Sequence, residues 1–155
     1  MIQRIQSLYL FLITALSLFF LSGSFLNFSD KSGSVIKITF TSIIKSTGGQ
    51  GFESLDRLWP LSIISVLIVI LSFVTIFFYN KRNVQLWLSK ILTLVICGLI
   101  LILVYYSYVI ITRYNGRFVP GITMVLLLLI LIFSVLAARG IKKDDQLVKS
   151  YDRLR

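Results

Sequence analysis

"WPLSIISVLIVILSFVTIFFYNKRNVQLWLSKILTLVICGLILILVYY", Trp59 to Tyr106, consists of two apolar stretches separated by a short polar one. Each stretch is about 20 residues long, and at a rise of ~1.5 Å per residue a helix of that length crosses the ~30 Å hydrocarbon core of a bilayer. The break between them is "NKRN", Asn80 to Asn83, whose two adjacent cations mark a short loop on the cytoplasmic face. Reading outward from this pair, the same pattern recurs on both sides. Four spans result, at about 7–26, 59–79, 91–111 and 118–138, and none carries a charge in its interior. Arg4 and Lys90 lie at the helix approaches, where long side chains can reach the interface.

Composition agrees. The 155 residues are 57% hydrophobic and 14% charged, and the mean hydropathy is +0.91, values that belong to a membrane protein rather than a soluble domain. The net charge of +10 could suggest nucleic acid, but the cations are spread over every segment outside the spans. Orientation accounts for them better. Arg4, Lys81, Arg82, Lys90 and the six Lys and Arg of the final segment make ten on one side, against six on the other: Lys31, Lys37, Lys45, Arg57, Arg113 and Arg117. The excess places both termini and the 80–90 segment in the cytoplasm.

Trp59, Tyr79, Trp87, Tyr105, Tyr106 and Tyr108 stand near span ends, as an interfacial aromatic belt requires. Pro60 and Pro120 are expected in the first turns of helices two and four, where a missing N–H costs little. The opening "MIQRIQSLYLFLITALSLFFLSGSF" also has the form of a secretory signal, with a small-x-small triplet at Ser22-Gly23-Ser24. Its apolar run is longer than a usual signal core, so an uncleaved signal-anchor helix is the expectation.

Residues 27–58 form the one sizeable outer loop. Within "FLNFSDKSGSVIKITF", Ile36, Ile38 and Phe40 alternate with Lys37, Thr39 and Thr41, giving two short strands about a turn at 30–33. "STGGQGFES" after them is expected to be a flexible, glycine-rich stretch. Such a hairpin could dock a ligand or partner, or fold as a cap over the helix ends. The lack of any cluster of ligating or catalytic groups favours the cap.

Catalytic chemistry finds little to stand on. The chain has no histidine, so neither a zinc-protease motif nor a Ser-His pair can be built. All six acids, Asp30, Glu53, Asp56, Asp144, Asp145 and Asp152, fall outside the spans, which leaves no intramembrane group for proton coupling. Cys97, the single cysteine, reads as a small core hydrophobe. No cofactor, metal or small-molecule substrate is indicated. The spans do contain hydroxyls, and Ser65, Ser72 and Thr75 share one face of helix two. They could line a pore, but small polar residues more often join helices in a membrane.

The last segment, "ARGIKKDDQLVKSYDRLR" from Ala138 to Arg155, has no proline and can continue helix four into the cytoplasm. On a wheel, Leu147, Tyr151 and Leu154 cluster in one arc with Val148 at its edge, opposite Lys142, Lys149 and Arg153. Arg139 and Lys143, with Lys81 and Arg82, read as orientation and lipid anchors. The patterned residues continue well past what anchoring needs. Lys142, Leu147, Lys149, Tyr151, Arg153 and Leu154 are therefore candidates for docking a protein partner.

The two ends, "MIQRIQSLYL" and "IKKDDQLVKSYDRLR", resemble a family of small four-span bacterial inner-membrane proteins, found chiefly in Bacteroidota and classed as a domain of unknown function. The resemblance covers the whole length in layout and supplies no catalytic residues. It implies that the ends are more distinctive than the spans. The expectation is thus a single all-α membrane domain over residues 1–155: a four-transmembrane-helix bundle with a small extracytoplasmic β-hairpin and a cytoplasmic tail at 139–155. Its expected role is that of a non-enzymatic accessory or structural subunit of a larger inner-membrane complex, in contact with lipid and other membrane proteins. The alternative is a small self-associating channel or transporter.

Overall fold

A computed structural model describes residues 3–29, 35–47, 50–114 and 117–153. Four helices are present: α1 (Gln3–Ser22), α2 (Trp59–Phe77), α3 (Arg82–Tyr114) and α4 (Ile122–Arg153). A single 3₁₀ turn, Phe78–Asn80, joins α2 to α3.

The strands overturn the all-α expectation. Besides the hairpin of β1 (Ser24–Ser29) and β2 (Val35–Thr39), the chain forms β3 (Ser42–Thr47), β4 (Gln50–Arg57) and β5 (Arg117–Val119). They make one antiparallel sheet in the order β4-β3-β2-β1-β5. The stretch expected to be a flexible, glycine-rich linker is therefore mostly β4. Its strand character is hidden by two bulges. Ile43 faces Asp56 while Ile44 faces Ser54, so Leu55 is an extra residue, and Gly51 is extra in the same way between Phe52 and Gln50. Each bulge shifts the alternation by one residue, which erases the period-two signal.

β1 uses a bulge differently. Ser24 faces Thr39 and Leu26 faces Ile38, leaving Phe25 extra. The consecutive residues Phe25 and Leu26 are both buried as a result, with Phe28 beyond them. Phe25 stacks on Phe20, the rings 4.3 Å apart and 7° from parallel. β2 keeps the expected alternation, Ile36 and Ile38 inward and Val35 and Lys37 outward. β5 pairs only with β1, through Asn27–Val119, Phe28–Phe118 and Ser29–Arg117. Strand residues Phe25, Phe28, Ile36, Ile38 and Ile43 belong to the same hydrophobic core as the helices. The sheet thus lies across the ends where α1 and α3 finish and α2 and α4 begin.

Span boundaries need correcting too. Only three helices are long and apolar enough to cross a membrane among the described residues: Trp59–Phe77, Asn83–Arg113 and Ile122–Gln146. The described apolar part of α1 is the shorter Ser7–Ser22, because the chain leaves the helix and enters β1 at Ser24 rather than continuing to residue 26. A four-transmembrane-helix bundle is therefore not the fold. At the other boundary Phe118 and Val119 belong to β5, so Pro120 precedes α4 instead of opening it. Pro60 does lie in the first turn of α2.

Two glycines permit the close passage of α1 and β1 beside the start of α4. A Cβ on Gly23 would stand 3.3 Å from Thr123 Cγ2, and one on Gly121 would stand 3.2 Å from Asn27 Nδ2. The Thr123 hydroxyl, buried in this junction, donates to the Phe25 carbonyl at 3.0 Å.

Candidate functional site

Each helix carries a buried seam spaced alternately by three and four residues. On α2 the seam is Leu61, Ser65, Ile68, Ser72 and Thr75. On α3 it is Gln85, Ser89, Leu92, Ile96, Leu99 and Leu103, and on α4 Thr123, Leu127, Ile130, Ser134, Ala137, Ile141 and Asp144. This is the spacing of helices packed knobs into holes at shallow crossing angles.

The chemistry of these seams is inverted relative to a water-soluble bundle. Hydroxyls lie inside, while Ile63, Ile70 and Phe73 of α2, Leu94, Leu101 and Val104 of α3, and Val125, Leu128 and Ile132 of α4 face outward. α1 has the same exposed apolar face at Leu8, Phe11, Leu18 and Phe19. Water would penalise so large an apolar girdle, whereas lipid accepts it at no cost. Trp59, Tyr79, Trp87, Tyr105 and Tyr108 are exposed toward the ends of this girdle, as the belt reading expects.

Several buried hydroxyls satisfy themselves within their own helices, whereas Ser89 Oγ of α3 has no partner among the described residues. Ser65 donates to the Leu61 carbonyl at 2.7 Å, Thr75 to Leu71 at 2.6 Å and Ser17 to Ile13 at 2.7 Å. A hydroxyl bond joins α1 to α2: Thr14 Oγ1 donates to Ser72 Oγ at 3.0 Å. Small polar residues that bring helices together in this way are a known mode of packing in lipid.

α3 and α4, with 33 and 32 residues, each extend roughly 50 Å, well beyond a ~30 Å core. Their surplus lies at the end away from the sheet, where α3 begins and α4 finishes. There the final segment, which no proline interrupts, continues as α4 to Arg153 without a break. Its inward face holds Ile141 and Asp144, while Lys142 and Lys143 are exposed. Gln85 Nε2 of α3 donates to the Thr75 carbonyl of α2 at 3.4 Å in the same region.

The residues singled out in the sequence divide accordingly. Arg139 and Lys142 share a groove between α3 and α4 with Lys90, and the groove has a volume of about 480 Å³. Lys81, whose N–H donates to the Phe78 carbonyl at 3.0 Å, and Lys143 lie outside that lining. Arg82 opens α3, and Leu147, Lys149, Tyr151 and Arg153 lie on the described backbone of α4, but their side chains fall outside the described residues, as does Leu154 altogether. Cys97 is exposed and lines the groove, so it is not the core residue that its apolar run suggested. Sequence reasoning missed Gln85 and Ser89 as buried positions. Their three-and-four spacing with Leu92, Ile96 and Leu99 was the available signal, obscured because the apolar run begins only at Ile91.

Inverted seams, an apolar girdle and three helices of spanning length define a membrane protein. The chain belongs to a family described as a domain of unknown function (DUF4293), whose profile matches residues 2–154. No curated protein matches it.

Proposed function

We propose that the protein is a non-enzymatic accessory or structural subunit of a larger complex in the bacterial inner membrane, engaging its partner through the end of α4. The supporting observation is the continuation of α4 to Arg153, far past its apolar part. An anchor needs only the first few cations after a span. Here Ile141 and Asp144, at the start of the extension, remain buried against the rest of the chain.

In this reading the sheet is extracytoplasmic, and the end of α4 and the α2–α3 turn are cytoplasmic. The basis is the excess of Lys and Arg at the end away from the sheet. Lys142, Lys149 and Arg153 offer the basic positions for the partner. Leu147 and Tyr151, with Leu154 beyond, continue the apolar arc. The rival reading, a self-assembled channel, would use the hydroxyl faces of α2 and α3, yet on α2 Ser65, Ser72 and Thr75 are buried within one chain and Ser72 accepts from Thr14.

The test is co-purification from native membranes in mild detergent, comparing the full chain with one ending at Gln146. That cut retains Ile141 and Asp144 and removes only residues 147–155. A stoichiometric partner present with the full chain and absent with the shortened one supports docking. Equal recovery from both, or solute flux in liposomes containing this protein alone, overturns it.

A further inference from the structure

The geometry points to a binding site for one anionic phospholipid in the groove between α3 and α4. This rests on the membrane placement of the two helices and not on the docking role of the α4 extension.

The groove is ordered as a phospholipid is. Lys90 is the last charged residue of α3 before its apolar run, and Arg139 is the first of α4 after its own. The helices are antiparallel neighbours, so both cations fall at one depth. Lys142, one turn past Arg139, joins them at the mouth. Deeper in the membrane the walls become Leu94 of α3 and Val135 of α4. Leu94 stands four residues from Lys90, about 6 Å along the axis. A phosphate can therefore meet the cations while an acyl chain runs along the apolar walls.

Among the described residues no acidic side chain lines the groove, so its positive charge faces no counter-ion from them there. Basic pockets between helices at the cytoplasmic interface suit anionic headgroups for this reason. General attraction to an anionic leaflet would be different, since it would draw equally on Lys81 and Lys143, which occupy the same end but not this groove.

That contrast supplies the experiment. The full-length protein in mild detergent is titrated with phosphatidylglycerol or phosphatidylcholine, and bound lipid is counted by native mass spectrometry. The unaltered chain should retain phosphatidylglycerol about tenfold or more over phosphatidylcholine. Lys90→Gln with Lys142→Gln should bring the two lipids close to parity. Lys81→Gln with Lys143→Gln removes the same charge and should leave the preference in place, as should Lys90→Arg with Lys142→Arg. Cys97, the only cysteine, provides a readout needing no substitution: phosphatidylglycerol should slow its modification by a maleimide more than phosphatidylcholine does. No headgroup preference in the unaltered chain, equal loss in both glutamine pairs, or unchanged Cys97 labelling overturns the site.

Discussion

The two ends of the helices are built by opposite means. At the sheet end, backbone pairing ties every chain passage to another. β5 closes on β1, Leu58 N–H donates to Thr41 at 2.9 Å, and the Ser62 and Thr123 hydroxyls donate to the Phe40 and Phe25 carbonyls. At the far end one 3₁₀ turn joins α2 to α3, and the extensions of α3 and α4 bury side chains such as Gln85, Ser89 and Ile141. Backbone bonds are directional and must be satisfied, so the sheet end is fixed by the fold itself. Packing along a helix seam is less exacting. The far end is thus where an outside molecule, lipid or protein, can supply part of the structure.

The most severe way to challenge that comparison is to empty one buried position at each end. Phe28 of β1 is 0% exposed, its ring edge-on to that of Phe118 on β5, and Phe28→Ala should cost about 3–5 kcal/mol. Ile141, 1% exposed near the far end, should cost about 2 kcal/mol as alanine, the low end for such a change, because a helix extension can close on the gap. Thermal unfolding of both variants in one detergent checks the ranking. Equal losses, or a larger loss at Ile141, would show that the far end is as tightly specified as the sheet.

A second test compares the seam with the lipid-facing surface. Ser65→Leu forces a larger side chain into a position that is 1% exposed and should cost about 1–3 kcal/mol by overpacking. Ile63→Leu, on the outward face of the same helix and 61% exposed, should change stability by less than about 0.5 kcal/mol. Comparable effects at the two positions would contradict the inverted arrangement.

Legibility in the sequence divides between the same regions. Apolar runs at α2, α3 and α4 were legible because lipid imposes length and composition directly on the residues. The β1–β2 hairpin was legible because Ile36 and Ile38 alternate cleanly. β4 was not, since bulges at Gly51 and Leu55 break its period, and β5 was not, since three residues give no periodicity at all. The extent of the first span was overstated because Phe25 and Leu26 are as apolar as the helix before them, while a bulge in β1 buries both. At the far end the cations were visible one by one, but the convergence of Lys90 with Arg139 and Lys142 required the α3–α4 pairing.

The smallest effect is expected at the hydroxyl bond between α1 and α2. Thr14 has one proton and two acceptors, the Leu10 carbonyl at 2.9 Å and Ser72 Oγ at 3.0 Å. Ser72 donates its own proton to the Val69 carbonyl at 3.0 Å. Breaking the bridge therefore strands neither group. Each hydroxyl retains a partner on its own helix, so the penalty for an unsatisfied buried polar atom does not arise. A double-mutant cycle with Thr14→Val and Ser72→Ala, read by unfolding in detergent, should give a coupling of about 0.6 kcal/mol. Coupling above about 2 kcal/mol would place the hydroxyls among the main forces joining α1 to α2. Coupling indistinguishable from zero would assign that contact wholly to the close approach that small side chains allow.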